Sequence, residues 1–79
     1  MPLKKGPLDQ TRLLSRRQRR VAELVAGGLK NHEIASQLGI GAHVVRNYLS
    51  AIYDKVGVSN RVELALWYEA RRHERRLPQ

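Results

Sequence analysis

Four polar side chains lie between residues 42 and 56 at positions that share one helical face. With successive residues about 100° apart around a helix axis, the residues opposite the apolar Val45 are His43, Arg46, Asn47 and Ser50, together with Asp54, which lies near the C-terminal end where it could repel phosphate or face solvent. Arginine can donate two hydrogen bonds to guanine, asparagine can pair bidentately with adenine, and serine or histidine can serve several bases. We therefore predict that these four residues contact base edges in the major groove of DNA. An ordinary solvated helix face is the alternative.

Other motifs that carry chemistry are incomplete in this chain. His32 and Glu33 begin a His-Glu-x-x-His zinc motif, but Ser36 occupies the position of the second histidine. The Gly-x-Gly at residues 39–41 begins a dinucleotide fingerprint, but Val44 stands where the last glycine belongs and no strand precedes it. Cysteine and a Gly-x-Ser-x-Gly elbow are both absent from the sequence. We therefore predict no enzyme activity, metal site, cofactor or bound small molecule.

The charge balance favours a polyanionic partner. The chain carries 15 lysine and arginine residues against 7 aspartate and glutamate residues, a formal net charge of +8 on 79 residues. Nucleic acid is the first partner that this excess predicts and an anionic membrane surface the second, and an arginine-rich surface that serves only solubility is the alternative. No stretch approaches the roughly 18 apolar residues of a membrane span, and no apolar signal sequence begins the chain. We predict a cytoplasmic protein without a membrane partner.

The length allows one small domain that is held together by apolar packing. Residues 1–13 contain two prolines and a glycine without sustained periodicity, which predicts a flexible basic arm or linker, and residues 14–79 form the domain. Apolar residues then recur at helical spacing between glycine stops, and no stretch alternates as a strand would. We predict an all-α fold with four helices, at about residues 15–26, 31–38, 42–56 and 60–74.

Polar residues mark where three of these helices begin. Ser15 and Gln18 have the spacing of a capping box, and Asn60 and Glu63 repeat that spacing. Asn31 is predicted to cap the second helix with its side chain. A nearby anion would relieve the repulsion between the positive end of the first helix and the arginines at positions 16, 17, 19 and 20.

The connection between the second and third helices is short and centres on Gly39, which predicts a steep crossing of the two helices. Ala35, Gly39 and Val45 are four and six residues apart. This spacing suits a small side chain at the helix contact, a residue free to take positive φ in the turn, and an apolar residue beneath the third helix. The pattern is typical of a helix-turn-helix, and a generic helical hairpin in a bundle is the alternative.

Residues 14–70 resemble the LuxR/GerE-type helix-turn-helix output domain of bacterial transcription regulators. The stretches that carry the resemblance are LSRRQ from Leu14, VAELVAGGLKNHEIA from Val21, VRNYL from Val45 and IYDKVGVSNR from Ile52. The resemblance implies a domain of four helices, of which the third reads the major groove and the fourth commonly forms a two-fold dimer.

Matched position by position, the family's usual Thr-Val-Lys at the start of the recognition helix corresponds to Val44, Val45 and Arg46, and the next base-contacting position is Asn47. Val44 lacks the hydroxyl that is frequent there, and Gly41 replaces a common serine or threonine cap. Side chains that flank the base-reading face are better placed for sugar and phosphate than for bases. The residues predicted to contact DNA phosphates are Ser15, Arg17, Lys30, Asn31, Val44, Tyr48 and Lys55.

The fourth helix is apolar on almost all sides, more than one small core can bury. We predict a homodimer interface from Val62, Leu66, Trp67 and Ala70, with a partly exposed core position for Trp67 as the alternative. The predicted function is transcription regulation by a homodimer on a pseudo-palindromic site of double-stranded DNA, with RNA polymerase as a further candidate partner. The alternatives are a module that pairs with a full-length regulator and holds it off DNA, and an excised output domain.

Overall fold

A computed structural model of the chain describes residues 13–76. Within this range the secondary structure consists of four α-helices without a strand, namely α1 (Arg16–Ala26), α2 (Asn31–Leu38), α3 (Ala42–Val56) and α4 (Arg61–Arg76). The predicted all-α fold is confirmed, with α4 starting one residue later and ending two residues later than expected. The predicted arm at residues 1–13 lies outside the described residues except for Leu13.

The capping box predicted for α1 is confirmed. The N–H of Gln18 donates to the Ser15 hydroxyl at 3.1 Å, and the N–H of Ser15 donates to the Gln18 side-chain oxygen at 2.9 Å. Two of the backbone donors that a helix start leaves without partners are thereby satisfied. Ser15 itself has extended backbone angles and stands outside the helix, so α1 begins at Arg16 rather than at residue 15.

The cap predicted for α2 is wrong by one residue. Lys30 has the extended angles of an N-cap, φ −82° and ψ 164°, and Asn31 is the first helical residue. The Lys30 N–H donates to the Glu33 carboxylate at 2.7 Å. Glu33 thus satisfies a backbone donor and places a negative charge at the positive end of the helix, so a cap from the Asn31 side chain is not needed.

Left-handed glycines end α2 and α3. Gly39 has φ +70°, where an L side chain is disfavoured, and it is followed by only Ile40 and Gly41 before α3 begins. Gly57 has φ +78°, and its N–H donates to the Tyr53 carbonyl at 2.8 Å. The short connection between α2 and α3 predicted from the sequence is confirmed.

Asn60 and Glu63 cap the start of α4, but only one of their two contacts joins the partners expected of a capping box. The Asn60 side-chain oxygen accepts from the Glu63 N–H at 2.9 Å, as the spacing predicts. The Glu63 carboxylate accepts from the N–H of Ser59 at 2.7 Å, one residue before the expected partner. Both contacts satisfy backbone donors at the start of α4.

One apolar core draws on all four helices. The side chains of Val21, Ile34, Val45, Ile52 and Leu64 are completely buried. Helix α1 packs against α3 and α4, and α2 packs against α3. Val45 is therefore the buried residue beneath α3 that the sequence predicts, and the core sets the position of every side chain on the opposite face of that helix.

Candidate nucleic-acid interface

Helix α3 has one buried and one exposed face. Leu49 and Ile52 join Val45 in the core, whereas Arg46 and Asn47 project from the exposed face. Ser50 and His43 are exposed as well, so all four residues predicted to contact bases are accessible. None of the four side chains hydrogen-bonds to another described residue. The polar face of α3 is available to an external partner.

Three of these four residues come together, and the fourth stands apart. Arg46, Asn47 and Ser50 line one open cleft with a volume of about 440 Å³, whose remaining walls come from Asn31, Leu49, Tyr53 and Arg61. The cleft lies where the exposed face of α3 meets the starts of α2 and α4. Most of its side chains are polar and can bond to bases, sugar or phosphate.

His43 folds back over the start of its own helix. A Cβ atom placed on Gly41 would lie 2.8 Å from His43 Cε1 and 2.9 Å from its Nδ1. A glycine at residue 41 therefore gives the imidazole the space that a serine or threonine cap would fill. His43 is placed at the N-terminal end of α3, away from the cleft that the other three predicted base contacts share.

Arg61 is the residue of this site that sequence reasoning missed. Its guanidinium donates to the Asn31 side-chain oxygen at 2.7 Å and to the Leu29 carbonyl oxygen at 2.7 Å, in a half-buried position. The sequence carries no local signal for this contact, because Arg61 and its two partners are 30 and 32 residues apart.

The residues predicted to contact phosphate differ in what they can donate. Arg17 and Lys30 are exposed cations, and the half-buried Tyr48 carries a phenolic hydroxyl. Ser15 uses its hydroxyl as the α1 cap. Val44 is half-buried with an apolar side chain, and its N–H donates to the Gly41 carbonyl at 3.0 Å, so it can offer only van der Waals contact.

Lys55 joins the end of α3 to the start of α1. Its ammonium group donates to the Gln18 side-chain oxygen at 2.9 Å, the same oxygen that accepts from the Ser15 N–H. The partner is a neutral amide, which leaves the positive charge of Lys55 uncompensated. A phosphate beside this corner of the molecule would meet a fixed cation with further N–H donors free.

Most cations of the described chain have no carboxylate partner. Between residues 13 and 72 the ion pairs are Arg20 with Glu23 at 2.9 Å and Arg72 with Glu69 at 3.0 Å. Both pairs are exposed and lie within a single helix, where such pairs contribute little to stability. The positive charges around α3 therefore remain available to a polyanion.

Helix α4 also has two faces. Leu64 and Tyr68 are buried in the core, whereas the side chains of Val62 and Leu66 are 65% and 67% exposed. Residues four apart on a helix are neighbours, so Val62 and Leu66 form one exposed apolar stripe. Trp67 is half-buried against the core.

Trp67 and Ala70, the other two residues of the predicted dimer interface, present less exposed apolar surface. The guanidinium of Arg71 lies 5.4 Å from the centre of the Trp67 ring, an arrangement typical of a cation–π contact. Ala70 is exposed and offers only one methyl group. Of the four predicted interface residues, Val62 and Leu66 thus present the largest exposed apolar side chains.

The helix pair α2–α3 with its three-residue turn, the exposed polar face of α3 and the cations around it have the arrangement of a helix-turn-helix. The sequence profile of the family described as "Bacterial regulatory proteins, luxR family", or GerE, matches residues 12–68. The chain belongs to this family. LuxR-family regulators use this helix-turn-helix to bind double-stranded DNA, so the resemblance noted from the sequence is confirmed.

Relatives with a curated description are bacterial regulators of greater length. The transcriptional regulatory protein DesR of Bacillus subtilis is 48% identical over 50 residues, which are 63% of this chain and 25% of DesR. UhpA of Escherichia coli is 44% identical over 52 residues, 66% of this chain and 26% of UhpA. The probable regulator SgaR of Hyphomicrobium methylovorum is 38% identical over 69 residues, 86% of this chain and 33% of SgaR.

The LuxR-family chain thus spans about a quarter to a third of the length of these relatives.

Within the described residues there is no group of three or more histidine, cysteine or acidic side chains that could hold a metal ion. None of the helices in that range combines the length and the apolar character that crossing a membrane requires.

Proposed function

We propose that this chain is a cytoplasmic transcription regulator that binds a specific sequence of double-stranded DNA and carries out no catalysis. The observation that supports this most directly is the exposed face of α3, where Arg46, Asn47 and Ser50 line one cleft and bond to no described residue. Side chains of these types match the hydrogen-bonding edges of bases in the major groove. We place α3 in that groove, with its buried face held by the core.

Base recognition rests chiefly on Arg46 and Asn47, with Ser50 as a weaker contact. His43 reaches a base only if its imidazole turns away from Gly41, so we assign it to the end of the reading face. Phosphate contacts come from the cations and amides around α3, which are Arg17, Lys30, Asn31, Tyr48 and Lys55. Such contacts fix the register of the protein on the duplex without reading its sequence.

We further propose that two copies bind a pseudo-palindromic site, with half-sites about 10 to 10.5 base pairs apart. The apolar stripe of Val62 and Leu66 on α4 supports this, because exposed apolar side chains of this size favour burial by a second protein surface. An isologous interface places the same stripe on both copies and matches the symmetry of the DNA.

Selection of bound sequences from random duplexes tests the proposal. We expect an enriched motif with two related half-sites. Titration of the enriched duplex at several salt concentrations should show a log-log slope of about −0.9 for each phosphate that the protein neutralises. A flat salt response would contradict phosphate binding, and steep salt dependence without an enriched motif would contradict sequence-specific recognition.

The same stripe on α4 also fits a module that pairs with a full-length regulator and keeps it off DNA. The selection separates the two functions. Pairing without DNA recognition predicts a stoichiometric mixed complex together with equal, weak affinity for all duplexes, whereas the proposed regulator prefers the enriched motif.

A further inference from the structure

Arg61 connects three parts of the molecule at the edge of the reading cleft. From the first turn of α4, its guanidinium reaches the Leu29 carbonyl between α1 and α2 and the Asn31 side chain at the start of α2. The two donors, Nη2 and Nη1, each lie 2.7 Å from their acceptor. Arg61 and Asn31 both line the cleft together with Arg46 and Asn47.

This contact determines which end of the Asn31 amide is available. The Asn31 oxygen accepts from Arg61, so the remaining group on that side chain is the NH₂, which can only donate. A donor group beside the predicted recognition helix is suited to a DNA phosphate, which can only accept. Without this partner the Asn31 side chain is free to rotate, and ordering it against the phosphate would cost up to about tenfold in DNA affinity.

Arginine is suited to this role and lysine is not. The planar guanidinium has donors in a fixed fork and can satisfy the Leu29 and Asn31 oxygens at once, whereas an ammonium group on a flexible stem lacks that geometry. Because the contact is half-buried, water competes less for the two acceptors than it would on an open surface.

We propose that Arg61 is a positioning residue for DNA backbone recognition, which holds Asn31 so that its NH₂ group donates to a phosphate beside α3. Two of the five N–H donors of the Arg61 guanidinium bond inside the protein, and the proposal gives Arg61 no direct contact with DNA. This inference rests on the proposed function, because it requires a duplex bound along α3.

The test is a double-mutant cycle with Asn31→Ala, Arg61→Lys and the double variant, measured on the enriched duplex and on a random-sequence duplex of equal length. We expect each single substitution to weaken binding to both duplexes by about tenfold, the loss of one hydrogen bond. The double variant should lose about tenfold as well, since both changes remove the same contact. The salt slope should stay unchanged, because neither substitution alters charge.

Arg72→Lys is the matched control, since Arg72 lies on the same helix in an exposed pair with Glu69. It should bind both duplexes like the unaltered chain. Asn31→Asp is the second variant, because it keeps the acceptor for Arg61 and removes the NH₂ donor. We expect Asn31→Asp to have a urea midpoint equal to or higher than that of Asn31→Ala. Its DNA binding should be weaker than that of Asn31→Ala.

Several results would overturn the inference while leaving the proposed function intact. The first is an additive loss of about a hundredfold in the double variant. The second is binding by Arg61→Lys that equals binding by the unaltered chain, and the third is binding by Asn31→Asp that is as tight as binding by Asn31→Ala. A salt slope smaller by about one in Arg61→Gln would show that Arg61 meets a phosphate directly, and would overturn it too. If the unaltered chain binds no duplex, the proposed function itself fails and the inference fails with it.

Discussion

Arg46 and Asn47 are the side chains whose removal should damage sequence recognition without damaging the fold. Both are exposed and bond to no described residue, so alanine at either position should change the free energy of unfolding by less than about 0.5 kcal/mol. The preference for the enriched duplex over a random-sequence duplex should fall by about 1 to 3 kcal/mol for each substitution. Fluorescence titration of both duplexes at one salt concentration measures that preference.

Lys55→Ala tests a proposed phosphate contact instead of a proposed base contact. It should weaken binding to both duplexes alike and reduce the magnitude of the log-log salt slope by about 0.9, because it removes one proposed phosphate contact and no proposed base contact. Comparison of the salt slopes of the unaltered chain and of Lys55→Ala measures the effect.

An Asn47→Ala variant that still selects the same motif would show that the reading face of α3 has been assigned incorrectly.

Gly39 determines how helix α2 is connected to helix α3. Its φ of +70° is strained for any L side chain, although a Cβ there would meet no atom within 4 Å. Gly39→Ala should therefore reduce the free energy of unfolding by about 1 kcal/mol through backbone conformation alone. Urea unfolding followed by circular dichroism measures this loss.

Gly27→Ala is the control for that substitution. Gly27 has φ −77°, which any residue adopts, and a Cβ there would make ordinary contacts of 3.5 to 3.7 Å. Its stability should be unchanged or slightly higher, since alanine restricts the unfolded chain. Equal losses at residues 27 and 39 would contradict a specific cost of the positive φ at Gly39.

The helices themselves were predictable because their signals are local. Cap residues, glycine stops and apolar spacing lie within a few residues of one another, so Ser15, Gln18 and Gly39 indicate helix ends directly. Contacts across the fold have no such signal. Neither the bond from Lys55 to Gln18 nor the one from Arg61 to Asn31 can be read from spacing, because each depends on how separate helices pack.

The same limit explains the errors at individual residues. Asn31 has the chemistry of a cap, but its oxygen bonds to an arginine 30 residues away, and Glu33 serves the backbone in its place. The four polar residues of α3 were correctly expected on its exposed side, since helical geometry fixes which residues oppose Val45. That His43 turns toward Gly41 depends on a side-chain rotation, which periodicity does not determine.

At the scale of the whole molecule, the stripe on α4 is the proposed contact between two copies of the chain. Leu66→Glu should leave the fold intact, because Leu66 is 67% exposed, and should place a charge in the middle of the proposed interface. We expect dimerisation to weaken by about tenfold or more, with a matching loss of affinity for a duplex with two half-sites. Sedimentation equilibrium with and without DNA measures both effects.

Leu66→Met is the control, since methionine keeps an apolar side chain of similar size. Its association and its DNA affinity should match those of the unaltered chain. Unchanged dimerisation in Leu66→Glu would place the interface elsewhere on the molecule. Binding of Leu66→Glu to a single half-site should persist, because the substitution leaves α3 and the proposed phosphate contacts unchanged.

The two faces of α3 also bear on how the proposed DNA preference can change. The core holds the helix through Val45, Leu49 and Ile52, whereas Arg46 and Asn47 take no part in packing. Mutations on the outer face therefore pass without a folding defect that selection would remove. If this face reads bases as proposed, its DNA preference can change while the fold stays stable.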